Sequence, residues 1–386
     1  MKVAFIGQKG IPTKQGGIEK HVEELSTRLA QAGFDVTVYS RPHYTGQKQK
    51  VYFYKKVQII NLPSLVTKHL DAISHTFLAS LHALFQNYNV IHYHGVGPSL
   101  MSFIPRIFNP RAKVIVTFHC IDRQHQKWGI FAKTMLGLGE WTACHFPHET
   151  IVVSQTLQKY CRYRFDRETT YLPNGVWTNS SRQNSKILSQ LNLEKNNYFL
   201  IVSRLIQHKG IHTLIKAYQQ AAQEVRKNKK LVIVGDGSNT NNYVSHLKEL
   251  AKNNSNIIFA GQRSGTELEV LFKNAYLFIQ PSEAEGLSIA LLEAMSYGVP
   301  VLISDIEENQ EALEDKGLEF KNKNVNDLAK QLKFAVNHPN FIKEKAKSAK
   351  RHVDKNYSWE DITKHTALLY EQTTEGQKQL ILKRAK

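Results

Sequence analysis

The chain has 386 residues, of which 41% are hydrophobic and 22% charged, and 51 lysines and arginines against 33 acidic residues give a formal charge of +18. This length predicts two domains that each bury a core, and the composition excludes a disordered chain. The charge indicates an anionic partner: nucleic acid, an anionic membrane surface or a phosphorylated small molecule. Nucleic acid is disfavoured, because the sequence has neither zinc-finger spacing nor an aromatic-plus-basic RNA-binding signature.

Basic residues are scattered along the chain rather than gathered in one block. Local groups occur at Lys48, Lys50, Lys55 and Lys56, at Arg162, Arg164 and Arg167, and in the tail at Lys378, Lys383, Arg384 and Lys386. No apolar run reaches the length of about 18 residues that spans a bilayer, and MKVAFIGQKG (1–10) predicts a strand rather than a signal peptide. Three cysteines do not make a disulfide framework. We therefore expect a cytoplasmic protein, with docking on the inner face of the plasma membrane if the basic surface binds lipid headgroups.

The first part of the chain alternates apolar runs with helical patterns. VAFIG (3–7) predicts a first strand, and the loop after it leads into a helix over 18–32 and a second strand over 35–40. This start, with Gly16 and Gly17 at the head of the helix, is typical of a doubly wound α/β domain. Further strands are predicted over 58–62, 90–94, 114–119, 150–154 and 170–172, with helices over 72–85 and 131–145.

A polar stretch indicates a change of domain. TNSSRQNSK (178–186) and LEKNN (193–197) have the composition of a linker. A second α/β series follows, with strands over 199–204, 231–237, 257–261, 276–280 and 299–304 and helices over 211–226, 243–253, 267–273 and 287–296. We therefore predict two doubly wound Rossmann-like α/β domains, 1–180 and 181–356, and a final helix, 357–386, that packs on the second domain or crosses back to the first.

The segment PSEAEGLSIALLEAMSYGVPVLIS (281–304) carries the strongest functional signal. Glu285 lies at the predicted turn between a buried strand and a helix, and Glu293 lies about two helical turns further on. Ligands of parallel α/β sheets bind beyond the carboxyl ends of the strands, where helix amino ends also point. Two carboxylates there can bind hydroxyl groups of a sugar nucleotide. Solvated surface glutamates are the alternative, which the turn containing Gly286 disfavours.

Six motifs, in this order, resemble those of retaining glycosyltransferases with the GT-B fold, in family 4, which shares a Glu-x7-Glu motif. They are GGIEKHVEELSTRLA (16–30), TFH (117–119), LPNGV (172–176), SRLIQHKGI (203–211), VGDG (234–237) and EGLSIALLEAM (285–295). The likeness covers nearly the whole chain. It implies two Rossmann-like domains facing a central cleft, the first binding the acceptor and the second the nucleotide sugar, and a role in cell-surface polysaccharide or lipopolysaccharide synthesis.

Charged residues of the second domain match the family's donor site. Arg204 ends a predicted strand and Lys209 starts a predicted helix, so two fixed cations suit a diphosphate whose charge grows as the sugar leaves. The resemblance assigns both to the leaving group, Glu285 to the sugar hydroxyls and Glu293 to the ribose hydroxyls. The other expected donor contacts are Gly16, Gly17, Gly235, Gly286, Leu287 and Ser288.

His119 follows an apolar strand of the first domain. The resemblance implies that it reaches the transferred sugar, and a hydrogen-bonded core histidine is the alternative. The residues after it, Asp122, Arg123 and His125, either line the acceptor side or belong to a solvated loop.

No metal or other cofactor is expected. The sequence lacks an Asp-x-Asp motif, and the group Cys144, His145 and His148 lacks a second ligand pair for zinc. HYH (92–94) is interpreted as structural or acceptor-lining. The resemblance implies a metal-free front-side displacement, in which the leaving diphosphate helps to deprotonate the acceptor hydroxyl.

Two departures from the family pattern touch the sugar pocket. DIEENQE (305–311) has no glycine where many relatives carry a Gly-Gly pair before an acidic residue, and Ser288 stands where glycine is common. The donor base and sugar are therefore not predicted. The expected partners are a nucleotide-sugar donor, a glycan or lipid-linked acceptor and an anionic membrane.

Four other functions are alternatives to glycosyl transfer. A sugar-nucleotide epimerase of the same fold would need no acceptor, a phosphorylase would need inorganic phosphate or pyridoxal phosphate, and an idle scaffold would bind nucleotide without turnover. An NAD-dependent dehydrogenase is disfavoured, because GQKGIP (7–12) is not G-x-G-x-x-G and Arg41 stands where an acidic residue would follow the second strand.

Overall fold

A computed structural model describes residues 1–67, 70–124, 129–177, 186–221, 223, 225, 229–237 and 241–384, without the side chains of 124, 241 and 375–384. The chain divides into two compact units, Met1–Asn174 together with Trp359–Lys386, and Gly175–Ser358. Residues 178–185 of the predicted linker, His125 and the side chains of the basic tail lie outside what is described.

The first unit is built on an eight-stranded sheet. Its strands are β1 (Lys2–Ile6), β2 (Asp35–Ser40), β3 (Val51–Tyr54), β4 (Val57–Asn61), β5 (Val90–His94), β6 (Lys113–Phe118), β7 (Glu149–Val152) and β8 (Thr170–Tyr171). Their order across the sheet is β3-β4-β2-β1-β5-β6-β7-β8. Neighbours are parallel except β3 and β4, which form an antiparallel pair. β1 therefore has β2 on one side and β5 on the other, and the direction of winding changes between β1 and β5.

Helices cover this sheet and bring the end of the chain back to its start. They are α1 (Gly17–Gln31), α2 (Pro42–Thr45), α3 (Asp71–Leu84), α4 (Val96–Ser99), α5 (Phe103–Phe108), α6 (Ile130–His145), α7 (Gln155–Phe165) and the final helix, α16 (Trp359–Arg384). α16 packs against α1, and Trp359, Ile362 and Tyr370 join the core that α1 forms with the sheet. The final helix is thus part of the first unit.

The second unit is built on a six-stranded sheet in which each described pair is parallel. Its strands are β9 (Tyr198–Val202), β10 (Lys230–Val234), β11 (Ile257–Gly261), β12 (Leu277–Gln280), β13 (Val301–Ser304) and β14 (Leu318–Phe320). The order is β11-β10-β9-β12-β13-β14. The chain first builds outward from β9 through β10 and β11, and then returns to add β12 on the other side. The change of direction therefore lies between β9 and β12.

The second sheet is also covered by helices. They are α8 (Lys186–Gln190), α9 (Ile211–Gln220), α10 (Asn241–Ala251), α11 (Gly265–Lys273), α12 (Ile289–Ser296), α13 (Glu307–Leu313), α14 (Val325–Asn337) and α15 (Pro339–Asn356). Ser288 is the N-cap of α12, and its hydroxyl accepts a hydrogen bond from the amide of Leu291. Nowhere in the described residues is there a helix with the length and apolar content that a membrane crossing needs.

The parallel fold confirms the prediction of doubly wound α/β domains, and several boundaries differ from it. The strand predicted over 199–204 ends at Val202, and the helix predicted over 287–296 begins only at Ile289. The helix predicted over 211–226 ends at Gln220, with residues 222, 224 and 226 outside the description. The sequence analysis missed β3 and β14. β3 is an edge strand whose exposed positions carry the apolar Val51 and Phe53, so its pattern lacks the polar face of an ordinary edge.

Candidate functional site

Two groups of polar side chains lie at the carboxyl ends of the sheets, one in each unit. In the second unit, Arg204 and Lys209 follow β9, and Glu285 follows β12. These are the two strands between which the winding changes direction, the place where open α/β sheets bind their ligands. Arg204 lies two residues beyond the end of its strand rather than in it, and its side chain is half-buried.

Lys209 and Glu285 form the centre of the group in the second unit. The Lys209 ammonium donates to Oε1 of Glu285 at 2.5 Å, and the two side chains are 14% and 8% exposed. The Gln280 amide donates to the same oxygen at 2.6 Å and to the Ser282 hydroxyl at 2.8 Å. One carboxylate oxygen is therefore held by a cation and an amide in a largely dry setting, where such bonds are strong.

A close backbone approach brings these side chains together. Lys209, predicted at the start of a helix, ends a 3₁₀ turn over Gln207–Lys209, and Gly210 follows with φ +66 as the N-cap of α9. A Cβ at Gly210 would lie 1.8 Å from the carbonyl oxygen of Pro281, so only glycine fits. The amide of Glu283 also donates to the His208 carbonyl at 2.7 Å. The loops after β9 and β12 are thus fastened to each other.

The remaining predicted donor residues of this unit surround the same edge. Gly286 and Leu287 are buried in the loop before α12, Ser288 caps that helix, and Glu293 is half-buried within it. Gly235 follows β10 with φ +136, and a Cβ there would lie 1.9 Å from the Ser203 carbonyl. Gly235 is therefore required by packing against the loop that leads to Arg204, whether or not it contacts a ligand.

A third carboxyl lies near Glu285. Burial and, to a smaller extent, the negative charges of Glu285, Glu307 and Glu311 together raise the pKa of Glu308 to about 7, while a hydrogen bond to its own backbone lowers it. Glu308 lies in α13, the helix that follows β13, and β13 is the neighbour of β12 in the sheet. Its carboxyl is therefore shared between protonated and ionised forms near neutral pH.

The group in the first unit consists of histidines. His94 ends β5, His119 follows β6, and His21 lies one turn into α1, the helix after β1. Each offers a ring nitrogen, and these three nitrogens lie within 4.8 Å of one another. The His21 ring packs edge-on against His119 with centroids 4.9 Å apart, and against Trp359 at 5.4 Å. We call His21, His94 and His119 the histidine cluster.

Hydrogen bonds indicate which nitrogens of the cluster carry protons. His21 Nδ1 lies 2.9 Å from Oδ1 of Asn174, which accepts, so His21 Nε2 carries a lone pair. His94 Nδ1 lies 3.2 Å from His119 Nε2. His94 Nε2 is buried without a partner among the described residues, and an unpaired buried N–H is rarer than an unpaired lone pair. We infer that His94 donates, which places the proton of His119 on Nδ1.

Burial keeps the cluster neutral. Desolvation lowers the pKa of His21 to about 4, partly opposed by its bond to Asn174. It lowers the pKa of His94 and of His119 well below the usual range, and the neighbouring imidazoles lower both further. His92, two residues before His94 in β5, is also buried, with its ring nitrogens 2.6 Å from the Tyr370 hydroxyl and 2.7 Å from the Thr117 hydroxyl. His92 is thus a satisfied core histidine.

The histidine cluster could also hold a metal ion. Neutral imidazoles are good ligands, and His21 Nε2 and His94 Nε2 are lone pairs without a described partner. The expectation that no metal takes part in the reaction remains a prediction. Cys144 and His148, considered above as zinc ligands, have structural contacts. Cys144 is buried in α6, and His148 Nδ1 accepts a hydrogen bond from the Val114 amide at 3.0 Å.

The glycines at the head of α1 differ from each other. Gly16 has φ +109, and a Cβ there would lie 1.9 Å from a carboxylate oxygen of Glu19, whereas a Cβ at Gly17 would meet nothing within 4 Å. Gly16 is therefore required by the backbone. Gly17 is not required by packing, and its contact with a ligand stays a prediction.

Arg123 belongs to a buried ion pair. Its guanidinium donates to Glu140 at 2.8 Å and to the Tyr160 hydroxyl at 2.8 Å, and the Glu140 side chain is fully buried. Arg123 thus has a structural role, its place on the acceptor side stays a prediction, and Asp122 begins a short 3₁₀ turn beside it.

Several residues of these groups escaped the sequence analysis. Gln280, Ser282, Gly210, Glu308 and His21 gave no signal as single residues. His21 lay within a quoted motif, GGIEKHVEELSTRLA, and its position one turn after Gly17 could have pointed to the same edge as the glycines. Gln280 and Ser282 lie within five residues of Glu285, whereas the contacts of Gly210 and Glu308 depend on which strands become neighbours.

Comparisons with known proteins match both units. The profile described as Glycosyltransferase Family 4 matches residues 15–180, and that described as Glycosyl transferases group 1 matches residues 183–372. An uncharacterized glycosyltransferase of Methanocaldococcus jannaschii is 26% identical over 96% of this chain and 98% of its own length. O-antigen chain mannosyltransferase C of Escherichia coli is 24% identical over 79% of this chain and 80% of its own.

Solved structures share the fold. Sucrose-phosphate synthase from Thermosynechococcus elongatus superposes with a TM-score of 0.82 at 22% identity, covering 97% of this chain and 99% of that one. Anabaena HepE in complex with UDP-glucose gives a TM-score of 0.79 at 19% identity, covering 96% and 100%. These matches confirm the GT-B fold predicted from the motifs. The chain belongs to the group 1, family 4 glycosyltransferases, and it is an enzyme of the hexosyltransferase type.

Proposed function

We propose that the enzyme transfers a hexose-like sugar from a nucleoside diphosphate to a hydroxyl of a glycan or lipid-linked acceptor, with retention of configuration and without a metal ion. The observation that carries the proposal is the ion pair of Lys209 and Glu285 beside Arg204, at the winding change of the second sheet. Two cations and an oriented carboxylate at that edge suit a sugar diphosphate.

The cations act on the leaving group. As the bond between the sugar and the diphosphate breaks, negative charge gathers on the departing oxygen, and Arg204 and Lys209 stabilise it. The acceptor oxygen bonds to the same sugar carbon on the same face, and its proton passes to the departing phosphate oxygen. No enzyme nucleophile is needed, and the sequence lacks the Asp-x-Asp motif that would chelate a metal on the donor.

The carboxylates orient the sugar nucleotide. Lys209 and Gln280 both donate to Oε1 of Glu285, so Oε2 can accept a hydrogen bond from a sugar hydroxyl. Glu293 is proposed to bind the ribose, and the amides of Gly286, Leu287 and Ser288 just before α12 are proposed to bind phosphate, as helix amino ends do. Gly16, Gly17 and Gly235 complete the proposed donor contacts.

In the first unit, His119 is proposed to contact the transferred sugar. Its proton on Nδ1 lets a neutral imidazole donate a hydrogen bond without adding charge, and the residue keeps 7% of its surface exposed. His21 and His94 orient this ring rather than react.

The acceptor class rests on relatives and on charge. The names of two matched enzymes, the O-antigen chain mannosyltransferase and a Campylobacter jejuni N-acetylgalactosaminyltransferase acting on a diphospho-undecaprenol, describe glycan and lipid-linked acceptors. With a formal charge of +18, this chain suits a similar acceptor at the cytoplasmic face of a membrane, in cell-surface polysaccharide synthesis.

Nucleotide binding and product analysis test the proposal. Thermal unfolding is measured with UDP, GDP, ADP and dTDP and their sugars, with and without EDTA. One nucleotide should raise the unfolding temperature equally with and without chelator, and less so in Glu293→Ala. NMR of the product should show the anomeric configuration of the donor.

Three results would redirect the proposal. Inversion of the anomeric centre would exclude the retaining route, and loss of activity with EDTA would exclude the metal-free one. Conversion of the donor without acceptor would indicate an epimerase, and nucleotide binding without turnover would indicate a scaffold.

A further inference from the structure

Helix α6 exposes apolar side chains where a surface helix normally carries polar ones. Phe131 is 79% exposed, Leu138 47% and Trp141 43%. Their spacing of seven and then three residues puts them on one face of the helix. Ile130, at the first position of α6, is 87% exposed. A row of this kind is more than the single exposed apolar residues that soluble proteins carry.

Helices α3 and α5 extend this face. Phe77, Leu78 and Phe85 are exposed on or just after α3, and Ile107 and Phe108 on α5. The helices α3 and α5 pack against each other.

The end of α6 is joined to α5. The Phe103 ring lies 6.1 Å from that of Phe146, and Arg106 donates to the Phe146 carbonyl at 3.0 Å. Phe146 in turn contacts Trp141, with ring centroids 5.7 Å apart. We call the exposed apolar side chains of these three helices the α3–α5–α6 surface; they are Phe77, Leu78, Phe85, Ile107, Phe108, Ile130, Phe131, Leu138 and Trp141.

The charge around this surface is positive. Residues 72–148, which contain all nine side chains of this surface, have six lysines and arginines and two acidic residues, Asp122 and Glu140. Glu140 is fully buried against Arg123, and Asp122 is half-buried. The described basic side chains that remain exposed include Arg106, Arg111 and Lys133.

We propose that the α3–α5–α6 surface docks the enzyme on an anionic lipid bilayer, with the apolar side chains entering the headgroup region and the cations contacting lipid phosphates. Aromatic and aliphatic side chains flanked by arginine and lysine have the chemistry of interfacial membrane binding. The indole of Trp141 suits the boundary between headgroups and acyl chains. A second copy of the chain would repel this face, because both copies would bring cations to it.

This docking gives the proposed lipid-linked acceptor a route to the enzyme, and to that extent it rests on the proposed function. The surface belongs to the unit that carries His119 and to which the family resemblance assigns the acceptor. An enzyme held on the leaflet would meet such an acceptor by diffusion in two dimensions.

Sedimentation of the full chain with vesicles tests the inference. Vesicles of phosphatidylcholine with about 30% phosphatidylglycerol are compared with pure phosphatidylcholine, at about 0.1 M and 0.5 M salt. The protein should bind the anionic vesicles at least about tenfold more tightly, and the added salt should remove most of this preference. Phe131→Ser with Trp141→Ser should weaken binding by about tenfold or more.

Matched variants separate docking from general damage. Phe53 is 71% exposed on the edge strand β3, outside the surface, so Phe53→Ser should bind vesicles like the wild type. Ile107→Ser with Phe108→Ser is a second test on another helix, should the α6 variant fold poorly. Lys133→Glu with Arg111→Glu should lower binding to anionic vesicles and leave the weak binding to neutral ones unchanged.

Equal binding by wild type and both surface variants, or no binding to anionic vesicles, would overturn the inference. So would light scattering that shows a dimer dissociated by Phe131→Ser with Trp141→Ser, since the surface would then join two copies. Transfer to a water-soluble acceptor analogue is measured in parallel. Transfer without vesicle binding would reject only the docking surface, and vesicle binding without transfer would reject only the proposed function.

Discussion

The two sheets place very different side chains at equivalent edges. In the second unit the winding changes between β9 and β12, and charged groups gather there: Arg204, Lys209 and Glu285. In the first unit it changes between β1 and β5, and the neighbouring groups are the imidazoles of His21, His94 and His119, which burial keeps neutral. The same topology thus supplies one charged site and one neutral site.

This difference agrees with a division of labour between the domains. A nucleoside diphosphate carries charge that grows on departure, so its site needs cations that are fixed in advance. A sugar hydroxyl is neutral, and a buried imidazole can bind it without the cost of desolvating a charge. The variants below separate the two kinds of site, from the largest expected effect to the smallest.

Removing the Lys209 ammonium should have the largest effect on kcat/KM. Lys209→Ala should lower kcat/KM by about 10²-fold or more, because the diphosphate loses a charge contact that strengthens as the sugar leaves. Lys216→Ala, which removes an exposed lysine on α9, is the matched control and should keep wild-type kinetics. Wild-type turnover in Lys209→Ala would refute the role given to this residue.

Removing the imidazole of His119, the proposed neutral hydrogen-bond donor, should lower kcat/KM by less than removing Lys209. His119→Ala should lower kcat/KM by roughly 10- to 100-fold, the scale of one buried hydrogen bond, and it should leave the dissociation constant of the free nucleotide unchanged. Steady-state kinetics and calorimetry measure the two quantities. His365 is exposed on α16, so His365→Ala controls for loss of an imidazole in the same unit. Weaker nucleotide binding in His119→Ala would contradict the proposed division.

The paired glycines at the head of α1 separate backbone strain from ligand contact. Gly17→Ala should keep the unfolding temperature, because its Cβ meets nothing within 4 Å, and should lower kcat/KM by about tenfold if a ligand approaches there. Gly16→Ala should instead lower the unfolding temperature, since φ is +109 and the Cβ would collide with Glu19. Unchanged kinetics in Gly17→Ala would remove it from the site.

The pH dependence of stability should have opposite signs in the two units. Burial raises the pKa of Glu308 from 4.5 to about 7, so its contribution to stability falls as pH rises through that window. For His21, burial lowers the pKa from 6.5 to about 4, so its contribution falls as pH drops from 6.5 to 4.

Glu308→Gln provides the test for the second unit. Relative to the wild type, this variant should gain about 5 °C of unfolding temperature between pH 5 and pH 8, because glutamine cannot ionise. Scanning calorimetry across this range measures the change. A difference between variant and wild type that stays constant with pH would mean that Glu308 titrates normally.

Local pattern predicted most of the regular structure. The strand over 35–40, the strand over 257–261 and the final helix have strong periodicity, and the structure has them at or near the predicted bounds. Contacts between loops that are distant in sequence were not predicted. Lys209 lies just before α9, near the predicted helix start, but the sequence did not show that Gly210 adopts a positive φ and meets Pro281, in a loop some 70 residues away.

The histidines show the limit of sequence reasoning most clearly. His119 was singled out, whereas His94 was interpreted as structural or acceptor-lining and His21 was not considered. Their meeting depends on β1, β5 and β6 being neighbours, and strand order is set by long-range packing. The role of His119 as a sugar contact stays a prediction, as do those of the donor residues.

By itself, the sequence determined the α/β class, the division of the βαβ units into two domains and the position of charged residues at strand ends. These features follow from local periodicity and turn chemistry. The tertiary structure decided which side chains meet. The close contact of Gly210 with Pro281 lets Lys209 pair with Glu285, and Glu308 lies near that pair. The order of strands in the first sheet brings together three histidines that are distant in sequence. The physical reason is that burial and partners, which set charge and hydrogen bonding, exist only once the sheets are assembled.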